Sequence, residues 1–280
     1  MTESTPLPGD RPRRLETEPP GTTYDRYSVA RLHWRLVRRY GWKSAVEVPA
    51  GGAKACPSLY SLPLALARCR VTLVNPLPSS LSHWRRLELS DRVTTVRAQI
   101  HALPFSDHAF DLAWNYVTLG REGSMLPALS EMTRVAGAVL LIGQNGYNLG
   151  YPWHHLLHWI FKIPWDHGQT RYFFPANVVS EMREAGLTDI EVGLLDQAPW
   201  PDPPGFRDIR LHRAGTKPHP EDEVDWRVPA VDYFQKDAFP TWMRLCAAFE
   251  ELPLPRLLRW PVNHMYYVLA FAGGKSPRAR

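Results

Sequence analysis

The apolar positions of the chain follow two patterns that alternate along most of its length. Seven short, nearly continuous apolar runs predict buried strands at residues 44–48, 70–76, 92–98, 110–117, 138–144, 188–196 and 263–273. Apolar positions at three- and four-residue spacing predict helices at residues 23–42, 57–69, 79–90, 125–135 and 175–187. Strands that alternate with helices indicate a mainly parallel sheet with helices on both faces, so the sequence predicts an α/β fold.

Segments outside this alternation define the domain organisation. Residues 1–22 are rich in Pro, Gly and charge, so we expect a disordered tail there and a second tail at residues 275–280. Residues 23–274 are then one domain with two insertions. Residues 146–174 are dense in aromatic and histidine side chains, and residues 197–261 are rich in Pro, Trp and Asp. Long insertions at the loop end of such a sheet are typical of lids or substrate walls.

Composition narrows the classes of function. The chain has 33 Lys and Arg against 28 Asp and Glu, but these charges are interspersed, so we do not expect nucleic-acid binding. Cys56, Cys69 and Cys246 lack C-x-x-C spacing and predict neither a disulfide framework nor a zinc knuckle. Because no long apolar run and no secretory signal pattern occurs, we expect a cytoplasmic protein without a membrane span. The oligomeric state has no signature in the sequence.

The stretch SAVEVPAGGAKA, residues 44–55, is the first chemical motif. A short apolar strand that carries Glu47 opens into a loop with Gly51 and Gly52, an arrangement typical of strands that present a nucleotide to a helix. Pro49 stands where the first glycine of such a loop is expected. The motif alone therefore leaves open whether the loop binds a nucleotide.

A more specific motif follows at residues 102–119, ALPFSDHAFDLAWNYVTL. It resembles the signature of class I S-adenosylmethionine-dependent methyltransferases, particularly methyltransferase type 11. Residues 130–143, 178–192 and 264–273 resemble later segments of that family in the same order. The resemblance implies a Rossmann-like, doubly wound sheet of seven strands with the last strand antiparallel. It also implies S-adenosylmethionine as cofactor.

The resemblance places a set of residues at the cofactor: Glu47, Pro49, Ala50, Gly51, Asn75, Gln99 and Asn115. Asn75 and Gln99 stand where the family usually has acids. Amides still accept hydrogen bonds from hydroxyl and amine groups, but each exchange of a charged for a neutral partner costs about 1 kcal/mol. We therefore expect S-adenosylmethionine to bind more weakly than in a typical family member.

Candidate catalytic residues are His154, His158, His167 and Tyr116. Methyl transfer is an in-line displacement, so positioning can suffice and a base is needed only when the acceptor must lose a proton. His154 and His158 have the spacing of metal ligands, but no Glu completes an H-E-x-x-H pattern and an amphipathic lid helix explains the spacing. We expect no metal site; a base, a substrate contact and structural hydrogen bonding stay open for these histidines.

The sequence thus favours an enzyme that transfers a methyl group from S-adenosylmethionine to a small-molecule acceptor. A methyltransferase-like scaffold without catalysis is the alternative, motivated by Asn75 and Gln99, and an RNA methyltransferase is the third interpretation. The apolar residues of the segment 239–260 favour packing over a docking face for a partner or a membrane surface. An enzyme requires an open cleft at the carboxyl ends of the central strands.

Overall fold

A mixed sheet with helices on both faces forms the centre of the molecule. The computed structural model describes residues 14–51, 56–121, 123–162, 164–165, 167–196 and 224–273. The strands are β1 Arg14–Thr17, β2 Ser44–Glu47, β3 Arg70–Val74, β4 Val93–Val96, β5 Phe110–Tyr116, β6 Ala136–Gln144, β7 Leu187–Leu195, β8 Val224–Arg227 and β9 Met265–Ala272.

Helices connect these strands. They are α1 Pro20–Tyr40, α2 Leu62–Leu66, α3 Leu81–Arg86, α4 Leu126–Val135, α5 Gly150–Phe161, α6 Pro175–Glu184, α7 Pro229–Lys236, α8 Thr241–Glu250 and α9 Arg256–Arg259. Short 3₁₀ turns occur at Pro78–Ser80, Ser90–Arg92 and Thr170–Phe173. Among the described residues, no helix is both long and apolar enough to cross a membrane.

The central sheet has seven strands in the order β4-β3-β2-β5-β6-β9-β7. The pairs among β2 to β6 are parallel, and β9 pairs antiparallel with both β6 and β7. This order confirms the predicted doubly wound sheet with its last strand antiparallel. The order reverses between β2 and β5, and ligands of open α/β sheets bind outside the strand ends at such a point.

Two apolar cores explain why the central strands are nearly continuously apolar. Successive side chains of a strand point to opposite faces, and both faces are covered. On one face Ala45, Trp114 and Leu140 pack beneath α1, α2 and α7. On the other face Val46 and Val139 pack with the buried sides of α4 and α6.

Local signals set the ends of two of these helices. The Gly41 amide donates to the Val37 carbonyl at 2.8 Å with φ +70°, which ends α1 in a left-handed residue. Pro175 occupies the first turn of α6, where its missing N–H costs nothing, and Gly186 follows the helix with φ +83°. The helix predicted at residues 175–187 therefore ends at Glu184, shortly before Gly186.

The expectation of a disordered tail at residues 1–22 is wrong for residues 14–22. Arg14–Thr17 forms β1, which pairs with β8 in a separate two-stranded parallel sheet, and α1 begins at Pro20. The sequence did not predict this pairing because each strand is only four residues long and the two strands lie far apart along the chain. Residues 1–13 and the second expected tail, 275–280, lie outside the described residues.

The second predicted insertion is only partly described. Residues 197–223 lie outside the described part, and the remainder forms β8 and helices α7 to α9. On α8, Met243 and Ala247 are buried whereas Leu245 is 66% exposed. This helix packs through one face and leaves apolar side chains exposed on the other, so packing explains the apolar residues of one face only.

Candidate active site

The loop after β2 is held against β3 and leaves Gly51 exposed. The Ala50 amide donates to the Val74 carbonyl at 2.7 Å, and the Ala50 carbonyl accepts from Ser58 Oγ at 2.6 Å. Among the described residues, a Cβ built at Gly51 meets only the Asn75 carbonyl oxygen, at an ordinary 3.8 Å. The described residues therefore do not require glycine at 51, and they leave its backbone accessible to a bound molecule.

Pro49 lies in this loop, and Glu47 is the last residue of the strand before it. The Val48–Pro49 peptide bond is cis. Glu47 is buried at the end of β2, where its Oε2 accepts from Ser61 Oγ at 2.6 Å. Ser61 Oγ in turn accepts from Trp114 Nε1 at 2.9 Å. Glu47 thus bonds to the start of α2 in the core.

Burial controls the protonation of Glu47. Its desolvation raises the pKa of Glu47 to about 7, against the opposing influence of the Ser61 hydrogen bond and of the Arg26 charge. Arg26 itself is buried on α1, where it donates to Glu18 Oε1 at 2.5 Å and to the Cys56 carbonyl at 2.9 Å. These contacts tie α1 to the loop that follows β2.

Asn75 ends β3 in a left-handed conformation with φ +54°. Its Nδ2 donates to the Ala98 carbonyl at 2.7 Å, and its Oδ1 accepts from the Ala98 amide at 3.0 Å. The side chain thereby extends the β3–β4 hydrogen-bond ladder by one pair. Aspartate could not make the first of these bonds because an ionised carboxylate only accepts. The neighbouring Gln99 is exposed and forms an isolated bridge with Ala102.

Asn115 joins the loops that follow β2 and β5. Its Oδ1 accepts from the amides of Thr118 and Leu119 at 3.1 and 3.0 Å. Its Nδ2 donates to the Val48 carbonyl at 2.8 Å and to Thr118 Oγ1 at 2.7 Å. The side chain is 2% exposed, so this amide fixes the mutual position of the two loops.

A narrow cleft of about 40 Å³ lies beside Asn115, between the ends of β5 and β6. Its lining contains no Lys, Arg, Asp or Glu among the described residues, and its polar side chains include Asn115, Gln144, His167 and Gln169. Its apolar lining includes Leu119, Met125, Leu141 and Val178. The cleft suits the apolar part of a small molecule more than a phosphate.

Tyr116 lies on the opposite face of the sheet from this cleft. It is buried, its ring stacks on that of Tyr60 at 3.9 Å between centroids, and its hydroxyl donates to Asp25 Oδ2 at 3.5 Å. Burial and the Asp25 charge raise the pKa of Tyr116. Asp196 is also buried, and its Oδ2 lies 3.3 Å from His264 Nδ1.

Asp25 and Asp196 form a buried acidic pair that the sequence did not reveal. Burial and then the Asp25 charge raise the pKa of Asp196 well above its ordinary value. The two residues come from α1 and from the end of β7, so no local spacing connects them. Perturbed carboxyl groups at a strand-end site are candidates for proton transfer.

The three candidate histidines converge on one point. His158 Nε2 lies 3.2 Å from His154 Nε2 and 3.2 Å from His167 Nε2. His158 is buried, whereas His154 and His167 are half-buried. The ring of Trp165 packs against all three at centroid distances of 5.5, 5.1 and 4.9 Å. The structure therefore brings these three together and places Tyr116 elsewhere; Asp166 lies outside the described residues.

Comparisons with known proteins agree with this fold. Residues 50–139 match the family model described as a methyltransferase domain, of methyltransferase type 11. A Thermotoga maritima structure, titled a SAM-dependent methyltransferase and possible histamine N-methyltransferase, aligns over 90% of each chain with TM-score 0.52 and 12% identity. The [4+2]-cyclase SpnF aligns over 87% of this chain and 80% of its own with TM-score 0.51 and 18% identity.

A search of curated proteins found no match. At such low identities the two structures show the fold alone, and one of them is a cyclase, so the fold does not fix the reaction. The segment that matches the family model begins at Ala50 and contains the ends of β3 and β5. Over residues 50–139 the chain is therefore similar to the methyltransferase type 11 domain, and its sheet order agrees with the fold of class I S-adenosylmethionine-dependent methyltransferases.

Proposed function

We propose that the protein methylates a small-molecule acceptor and that the open backbone at Gly51 carries the cofactor site. Gly51 lies at the end of β2, beside the point where strand order reverses, and inside the family match. Space that no described side chain fills, next to the β3 terminus, fits a ligand that lies across the strand ends. When bound, S-adenosylmethionine supplies an activated methyl group.

Five of the seven residues that the resemblance placed at the cofactor then differ in what they bond to. Gly51 offers room, and Gln99 offers an exposed amide. Glu47 and Asn115 bond to the protein itself and position the loops. Asn75 keeps its amide on Ala98 and can accept a further hydrogen bond only through the remaining lone pair of Oδ1.

The acceptor site is assigned to the cleft between β5 and β6. Its apolar lining and uncharged rim favour an apolar or aromatic molecule. Because the cleft encloses only about 40 Å³, entry of such a molecule requires displacement of the segment that carries His167, Gln169 and Tyr172. An acceptor bound there with a hydroxyl, thiol or amine loses one proton and gains one methyl group.

Calorimetric titration with S-adenosylmethionine and S-adenosylhomocysteine tests the proposal. We expect micromolar binding to the native chain and loss of binding in Gly51→Trp, because the indole fills the open space. Gly137→Trp is the matched control. It is an exposed glycine at the amino end of β6 whose added Cβ also meets only a backbone oxygen, at 3.7 Å.

Two results would contradict the assignment. Absence of binding of both compounds at millimolar concentration to folded protein would favour the non-catalytic scaffold. Equal loss of binding in Gly51→Trp and Gly137→Trp would mean that the cofactor does not lie at Gly51. Binding of RNA to the chain, with an affinity that falls steeply as the salt concentration rises, would instead favour the RNA methyltransferase.

A further inference from the structure

We propose that His154, His158 and His167 hold a divalent transition-metal ion, with Zn²⁺ as the first candidate. His154 and His158 are one turn apart on α5, so they project from the same face of the helix. His167 returns from the loop that follows. The ligand atoms of the three side chains all lie within 4.8 Å of one another.

Two of the three distances between the ligand atoms match those between ligands of one metal ion. With Zn–N bonds of about 2.0–2.1 Å and tetrahedral angles, two nitrogen ligands are about 3.3 Å apart. His158 Nε2 lies 3.2 Å from Nε2 of each of the other two histidines. Three imidazoles are also a donor set that Zn²⁺ and its neighbours in the series bind well.

The outer contact of His158 favours the same assignment. Its Nδ1 lies 3.2 Å from the Pro164 carbonyl oxygen. Because a carbonyl only accepts, Nδ1 carries the proton and Nε2 of the neutral ring presents a lone pair. Metal-ligating histidines are oriented in this way by a partner for the second ring nitrogen.

Among the described residues, Trp165 packs against the site and His167 connects it to the β5–β6 cleft. The Trp165 indole stacks on His155 at 3.9 Å with an 8° interplanar angle and donates from Nε1 to the Gly168 carbonyl at 2.9 Å. His167 also lines the β5–β6 cleft. Three histidine ligands leave the fourth position of a tetrahedral zinc ion open to water or a substrate group, which is typical of reactive rather than structural zinc.

The open position is suited to a hydroxyl or thiol of the acceptor. Such a group would bind as its anion, with its proton released to solvent, and would then take the methyl group. This use of the metal rests on the proposed function, whereas metal binding itself does not. Titration of the metal alone, without S-adenosylmethionine, therefore separates the two proposals.

The experiment uses the full chain without an affinity tag, stripped with a chelator. Zn²⁺ is titrated against a chromophoric competitor, and Co²⁺ is added separately to record its ligand-field bands. We expect one equivalent of metal and a four-coordinate Co²⁺ spectrum. His154→Gln and His167→Gln, which change half-buried side chains, should each weaken Zn²⁺ binding by about 100-fold or more, since loss of even an outer partner costs 10- to 100-fold.

His155→Gln is the matched control, because it lies on the same helix beside His154 and stacks on the same indole. It should bind Zn²⁺ within about threefold of the native chain. The proposal is overturned if the folded native chain binds less than about 0.1 equivalent at micromolar metal, or if His155→Gln weakens binding as much as the ligand variants. Circular dichroism of each variant verifies that it is folded.

Discussion

At the ends of β2, β3 and β5, polar side chains bond to the protein's own backbone, whereas the histidines of α5 and its following loop face one another. Asn75 and Asn115 each saturate backbone groups of neighbouring loops. His154 and His167 instead direct Nε2 towards the Nε2 of His158. A group that completes backbone hydrogen bonds sets the shape of a site, and a group that converges on other donors is prepared for a ligand.

This comparison is tested most severely at Asn115. We expect Asn115→Ala to lower the free energy of unfolding by about 3 kcal/mol, because it leaves backbone groups of three residues without partners in a buried position. Urea denaturation measures the change. Gln99→Ala, at an exposed site, should stay within about 0.5 kcal/mol. A stable Asn115→Ala protein that fails to bind S-adenosylmethionine would make Asn115 a ligand contact instead.

Glu47 gives the second largest effect, and it depends on pH. Burial raises its pKa in the folded state to about 7, above the unfolded value, so the native chain loses stability as the pH rises from about 4.5 to 7. Glu47→Gln retains an oxygen for Ser61 and carries no charge. We expect the variant to be more stable than the native chain at pH 8, by an amount on the order of 2–3 kcal/mol, and the difference to shrink towards pH 5.

Urea denaturation of both proteins at pH 5 and pH 8 measures this difference. Equal stability at pH 8 would mean that Glu47 ionises without penalty. It would then be more accessible to solvent or to a ligand than its burial implies, and the loop after β2 would belong with the ligand-binding groups.

Asn75→Asp sharpens the comparison at the position where the family has an acid. The new carboxylate faces the Ala98 carbonyl, to which Asn75 now donates, so we expect a loss of about 2 kcal/mol in stability. Gln99→Glu is the matched acid at an exposed site and should leave stability within about 0.5 kcal/mol. Thermal melts and calorimetric titrations of both variants give the two readouts.

The affinity for S-adenosylmethionine then shows whether the side chain at position 99 or at position 75 contacts the cofactor. If Gln99 contacts the cofactor, Gln99→Glu should strengthen binding several-fold, by the difference of about 1 kcal/mol between a charged and a neutral hydrogen bond. An Asn75→Asp protein that is both fully stable and tighter in binding would show that this position holds the cofactor in the way the family resemblance implies.

The sheet could be predicted from the sequence because β5 and β6 are buried on both faces and therefore consist of nearly continuous apolar runs. It missed β1 and β8, whose four-residue strands pair only with each other. It also predicted correctly that Glu47 lies at the end of a strand. It did not predict that the carboxylate bonds to Ser61 in the core, because that contact depends on the packing of Ser61 and Trp114 from other elements.

Tertiary packing also explains why the convergence of the three histidine side chains could not be predicted. The spacing of His154 and His158 is equally typical of an amphipathic helix, and His167 reaches them only through the turn around Trp165. The pairing of Asp25 with Asp196 was hidden for the same reason, because the two elements are adjacent in space alone. Spacing predicts which residues share a face, and tertiary contacts decide which faces meet.

The smallest expected effect lies on the outer face of α5. Trp153 and Trp159 are 63% and 77% exposed, although His158 on the same helix is buried. We expect Trp159→Gln to change the free energy of unfolding by no more than about 0.5 kcal/mol, because the indole has little contact to lose. Tyr151→Gln is the internal contrast, since its ring contacts Phe173 at 5.2 Å between centroids and should be costlier to remove. A Trp159→Gln loss above about 1 kcal/mol would place this face against another part of the chain. The histidine segment would then be packed on both sides, and the movement that admits an acceptor to the cleft would have to begin at the loop that carries His167.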